Sequence, residues 1–221
     1  MKTNLSITHD ASFWPFISWA DFALMPDRDK RVVIVPVTGM NDWKIGAPLD
    51  FEECLALSIL KDALGKATDD RQFLVIPPVR FTMGRPGQSC FSVDAETAHA
   101  TLEDIVSSIH AHGFRKILFL NSSPWNEDLV DSAGRDLRIK LGVQPFCINL
   151  SSLGLDFTSD AARDKLVALR DGLLETDGKM AKQGNALLQQ AGTDLLSLLE
   201  EVHTFRPLPD DGAIPKKSFP L

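Results

Sequence analysis

RVVIVPVTGMNDWKIGAPLDFEE, residues 31–53, decides the fold. Arg31 to Val37 is a near-continuous β-branched run, the pattern of a strand buried on both faces of a sheet. The loop from Thr38 to Pro48 carries two glycines. It packs an amide, a carboxylate, an indole and an ammonium into Asn41 to Lys44. Asp50 is placed to cap a helix with Leu57, Leu60 and Leu64 on one face and Gly65 closing it. Ligands of open α/β sheets bind outside the carboxyl ends of the strands, so any site is expected in this loop.

Outward from there, strands and helices alternate. Phe13 to Met25 is an aromatic-rich segment that reads as a helix starting near Pro15. Gln72 to Pro77 is a second strand-length apolar run, and the glycine-rich Val79 to Val93 is irregular. Asp94 opens a helix with Leu102, Ile105 and Ile109 on one face, ending at His112-Gly113. Lys116 to Leu120 is a third strand running into NSSPWN and a helix carrying Leu129, Ala133, Leu137 and Leu141. Val143 to Leu150 is a fourth. Helical character returns over 160–174 and from Lys179 to about Val202, where Gly184 and Gly192 predict close helix packing. This order predicts a mostly parallel sheet with helices on both faces. One domain is expected over 1–205, with 206–221 as a proline-rich extended arm.

The 221 residues suffice for one substantial core, and the formal net charge of -7 argues against a nucleic-acid surface. No apolar run reaches membrane-helix length, and the first ten residues lack a signal-peptide core, so a cytoplasmic protein with no membrane partner is expected. Cys54, Cys90 and Cys147 are widely spaced and read as small buried hydrophobes of a reducing compartment. There is no tyrosine, which removes one common acid–base side chain.

The stretches VIVPVTGMNDWKIGAPLD, MGRPGQS, HAHGFRKILFLN and NSSPWN together resemble the creatininase (creatinine amidohydrolase) family, over roughly 19–150 and more weakly in the last helix. In that family the corresponding segments read approximately PVGSxEQHGPHLPLxTD, HxxFPGT and HGFRxIxxxNGHGGN. The resemblance implies a three-layer α/β/α sandwich, homo-oligomers that are often hexamers, and hydrolysis of a cyclic amide or related C–N bond at a two-metal centre. The family's ligands are missing. Its first-loop Glu falls at Asn41, its His ligand at Trp43 and another loop His at Gly46. Its Asp falls at Glu52, which keeps the charge on a longer side chain. The HxxFPGT histidine falls at Thr82, with Arg85 and Gln88 at the Phe and Thr positions. The NGHGGN histidine falls at Ser123, and a ligand two residues later at Trp125. A later His-Ala-Gly-Glu segment has no counterpart. Hydrolytic metals take imidazole, carboxylate or thiolate donors, usually three or more per ion, so no metal or other cofactor is expected. His9, His99, His110, His112 and His203 are not placed to restore the set.

Three readings follow. In one, the pocket works without metal on a small-molecule ligand. Lys44, Glu52 and Ser123 then do the chemistry, and Asn41, Asp42, Trp43, Arg85, Ser122, Trp125 and Asn126 line the site. That reading expects Lys44 to turn inward and pair with Glu52 or Asp42, since a buried unpaired ammonium is costly. In the second, Trp43 and Trp125 fill the vacated metal cavity and the chain is a non-catalytic homologue. In the third, it is a subunit that pairs with an active relative. A serine or cysteine nucleophile is a weaker idea. Ser123 is not in GxSxG and has no histidine to activate it, and nothing near Cys90 lowers its pKa. MGRPGQS lacks the ending of a phosphate loop.

Overall fold

A computed structural model of the chain describes residues 12–80, 82–89, 91–157 and 162–206. Four parallel strands form one sheet in the order β2-β1-β3-β4, with β1 at Val32–Val37, β2 at Phe73–Val75, β3 at Lys116–Asn121 and β4 at Gln144–Asn149. β1 pairs with β3 along its whole length, Val32 opposite Lys116 through Val37 opposite Asn121. The β2 edge is lengthened by the bridge between Phe13 and Val75. Pro36 lies within β1, where the lost N–H is tolerated because β2 ends at Val75. Its carbonyl still accepts from Val79 N at 2.8 Å.

Six helices cover the sheet: α1 at Trp19–Ala23, α2 at Phe51–Lys66, α3 at Ala95–Ala111, α4 at Glu127–Leu141, α5 at Ala162–Leu173 and α6 at Lys179–Thr204. The two-residue period of a strand separates the layers. Val32, Ile34, Leu118 and Leu120 point into one core with α2, α5 and α6. Val33, Val35, Ile117 and Phe119 point into the other with Phe22 of α1, α3 and α4. Every residue of β1 is buried, as the unbroken apolar run requires. The result is the expected three-layer α/β/α sandwich.

Several boundaries differ from the sequence reading. The aromatic segment is a short 3-10 turn, Trp14–Phe16, followed by α1, which Ser18 caps by accepting from Asp21 N. Asp50 holds the N-cap position of α2, but its side chain makes no capping bond. Leu57 is only half-buried, because Leu55 and Ile59 face the core. Gly65 lies inside the helix, which runs on to Lys66. Asp94 caps α3 as predicted, its carboxylate accepting from Thr97 N at 2.8 Å.

The glycines of α6 do what their spacing implied. A Cβ at Gly184 would sit 1.9 Å from the Ala168 carbonyl oxygen of α5, and one at Gly192 would sit 2.2 Å from Asp62 of α2. Among the described residues no helix is long and apolar enough to cross a membrane. Cys54 and Cys147 are free thiols. His9, Cys90 and the arm beyond Arg206 lie outside the described residues.

Candidate functional site

The loops after β1 and β3 meet at the carboxyl end of the sheet, and Glu52 lies at their centre. It is the second residue of α2 and fully buried. Its Oε1 accepts from Asn41 Nδ2 at 2.8 Å and from the Trp43 indole N–H at 3.1 Å, and its Oε2 accepts from Gly39 N at 2.9 Å. Neutral N–H donors therefore engage both carboxylate oxygens. Burial raises its pKa most, to about 7, against the opposing pull of Asn41, Ser123, Gly39 and Trp43. The Ser123 hydroxyl lies close enough to favour the ionised carboxylate but makes no well-formed hydrogen bond.

Only glycine fits at position 39. A Cβ there would lie 2.7 Å from both Asn41 Nδ2 and Glu52 Oε2. Asn41 also accepts from Arg85 N at 2.8 Å, so one amide ties the loop after β1 to the segment after β2. Around the carboxylate stands an aromatic wall. The Trp43 ring lies 5.2 Å from Trp125, 5.7 Å from Phe157 and 6.4 Å from Phe51, centroid to centroid. The Arg85 guanidinium covers Trp125 at 5.7 Å, with both side chains half-buried at the rim.

The loop after β3 is held by its own amides. Asn121 donates to Ser123 O at 2.9 Å and to Asn149 Oδ1 at 2.8 Å, and accepts from Ser123 N at 3.1 Å. Ser122 turns back to Val37, its N–H donating to that carbonyl at 3.0 Å. Asn126 donates to the Thr82 hydroxyl at 2.9 Å, which in turn donates to Thr38 O at 2.7 Å. Ser123 Oγ and Asn126 Oδ1 are buried without a hydrogen-bond partner. The hollow beside Ser122, Ser123, Leu155 and Phe157 encloses about 10 Å³, room for one water at most.

The structure thus brings Asn41, Trp43, Glu52, Ser122, Ser123, Trp125, Asn126 and Arg85 to one place. Lys44 and Asp42 do not join them. Lys44 is exposed, its backbone turns through φ 55°, and its N–H donates to Asp42 Oδ1 at 2.8 Å on the outer surface. The expected inward pairing of Lys44 with Glu52 or Asp42 is therefore corrected. The carboxylate already has three N–H partners, and an ammonium has no reason to leave water for it. Gly39 and Phe157 were missed by the sequence reading. Gly39 acts only through its backbone, and Phe157 follows a stretch with no clear pattern. Beside the site, Arg80 and Glu53 form a two-pronged ion pair with Nη2 to Oε1 at 2.7 Å.

The family's two-metal centre does not fit these residues. An amide, two indoles and a hydroxyl stand at donor positions, and the one carboxylate already accepts three N–H bonds. Among the described residues no three His, Cys, Asp or Glu side chains gather to hold an ion. Cys54 offers no nucleophile either, since burial pushes its thiol up to about 12.

A family profile described as Creatininase: Creatinine amidohydrolase matches residues 16–195. No curated protein matches the chain. Among solved structures, a Bacteroides fragilis protein named for creatinine amidohydrolase is 19% identical with a TM-score of 0.69, over 90% of this chain and 99% of that one. A creatinine amidohydrolase (creatininase) is 14% identical at 0.68, over 88% and 99%. A manganese form of creatininase is 15% identical at 0.68, over the same shares. With the profile spanning most of its length, and its sheet, helices and converging loops in the expected places, this chain belongs to the creatininase family.

Proposed function

We propose that this chain keeps the creatininase scaffold without its hydrolytic centre and serves as a non-catalytic subunit of an assembly. The observation that carries this reading is the state of Glu52. Its carboxylate, buried among Gly39, Asn41 and Trp43, is engaged by protein donors where a cation would be needed for hydrolysis. Trp43, 8% exposed and packed on Trp125, takes up the space beside that carboxylate. Purified protein given zinc or manganese is expected to show no ring opening of creatinine and no stoichiometric metal by elemental analysis. Stoichiometric metal lost in Glu52→Gln, or metal-stimulated turnover, would overturn the proposal.

A second reading is a metal-independent hydrolase or binder of a small cyclic amide. One observation favours it: a carboxyl raised to about 7 beside the unpartnered Ser123 hydroxyl suits a general base next to a nucleophile. It requires the loop from Thr38 to Pro48 to open and uncover Glu52. Saturable quenching of tryptophan emission by creatinine, lost in Glu52→Gln, would establish it.

The assembly we propose is a cytoplasmic homo-oligomer. Trp19, Phe16 and Leu24 are 75%, 51% and 83% exposed on one short segment, beside a hollow of about 460 Å³ lined by Trp14, Ile17, Phe22 and Ile109. Light scattering is expected to give a mass above that of one chain, and a clean monomer at micromolar concentration would sink this part.

A further inference from the structure

The opposite, amino-terminal end of the sheet carries a second hollow of about 500 Å³. Lys116 and Gln144, the paired first residues of β3 and β4, form its floor, and the end of α6 with the chain leaving it forms a wall. Lys30, Arg115, Lys116 and Arg206 line it, against one lining carboxylate, Asp29. That is a local excess of positive charge on a chain whose net charge is -7.

The protein neutralises these cations only in part. Lys30 pairs with Asp27 at 2.6 Å. Arg115 reaches the His110 ring at 2.7 Å, a contact that uses one of its five N–H groups. Lys116 donates to the last carbonyls of α6, Val202 O at 3.1 Å and His203 O, which leaves it one further N–H. Arg206 has no hydrogen bond or ion pair with a described residue. The cations are also close enough to repel. Burial and then the Arg206 charge push Lys116 below its ordinary value, and burial and then Lys116 do the same to His203. Two further polar atoms of lining residues, Gln144 Oε1 and His203 Nδ1, are buried without a hydrogen-bond partner.

Gathered like charges and orphaned polar atoms are both costs that a bound anion would remove. We propose that this hollow binds a small phosphate ester. Its phosphate sits between the Arg115 and Arg206 guanidinium groups and the free N–H of Lys116, and its polar body meets Gln144 and His203. Guanidinium forks match phosphate oxygens, and the volume falls within the usual range for small-molecule pockets. Phe205, 46% exposed on the wall, offers a face on which a ring can lie. The proposal is independent of the fate of Glu52 at the far end of the strands.

The test is titration calorimetry on the full chain at low salt, with inorganic phosphate, adenosine monophosphate and unphosphorylated adenosine as probes. The expected result is saturable one-site binding of the monophosphate, weaker binding of phosphate and none of adenosine. Arg206→Gln is expected to weaken binding about tenfold, the size of one lost charge-assisted contact. Arg115→Gln should weaken it again. Both side chains are exposed, so both variants should melt at the wild-type temperature. Added salt should weaken binding in the wild type. Absence of saturable binding by either phosphate probe, or wild-type affinity in the double variant, would overturn the site.

Discussion

Replacing Trp43 with alanine is expected to cost about 3–5 kcal/mol of folding stability, the range for removing a large aromatic from a packed core. The indole touches Trp125, Phe157 and Phe51, and only 8% of it is exposed. The cavity would open beside Glu52, which would also lose the indole N–H now 3.1 Å from Oε1. Both effects act on the folded state in one direction. Urea unfolding should show a lower midpoint with little change in slope. Trp43→Phe narrows the two contributions: it keeps most of the packing and removes the hydrogen bond, so a smaller loss of about 1–2 kcal/mol is expected. Wild-type stability in Trp43→Ala would mean that the ring is a movable cover over a cleft. The proposal of a filled, non-catalytic pocket would then give way to the ligand-binding reading.

The layers of the fold were legible because β1 and β3 are apolar on both faces and leave no choice but burial between two sheets of helices. The convergence of Asn41, Glu52, Ser123 and Trp125 was legible for a related reason. Parallel strands deliver their following loops to the same end. What the sequence did not reveal was which side chains of the loop point inward. Trp43 and Lys44 are neighbours, yet one is core and the other surface, and the difference is set by the positive φ at Lys44 and by the N–H needs of Glu52. A lysine next to a position where the resemblance puts a metal ligand suggests an internal cation. Three backbone and side-chain donors remove the need for one. The hollow under β3 was hidden for another reason: Lys30, Arg115, Lys116 and Arg206 are scattered along the chain, and only Arg115 and Lys116 are adjacent in it.

Glu52 should make the protein's stability depend on pH in an unusual direction. Its carboxyl is raised from 4.5 to about 7 in the folded chain, chiefly by burial. A raised value means that the folded state holds the proton more tightly than the unfolded state does. This contribution is therefore fully present below pH 4.5, declines as pH rises, and is gone above about pH 7. Over that window the loss amounts to about 3 kcal/mol. Other carboxylates also titrate there, so the comparison must be with Glu52→Gln. Glutamine can keep Asn41 and Trp43 on its carbonyl oxygen and donate to Ser123 Oγ, at the cost of the Gly39 bond. Measured by urea unfolding, the stability difference between wild type and variant should move against the wild type by about 3 kcal/mol between pH 4.5 and pH 8. Parallel curves would mean that the carboxyl ionises near its ordinary value, its N–H donors offsetting burial in full. The dominance of burial over those donors, and with it the raised carboxyl, would not survive that result.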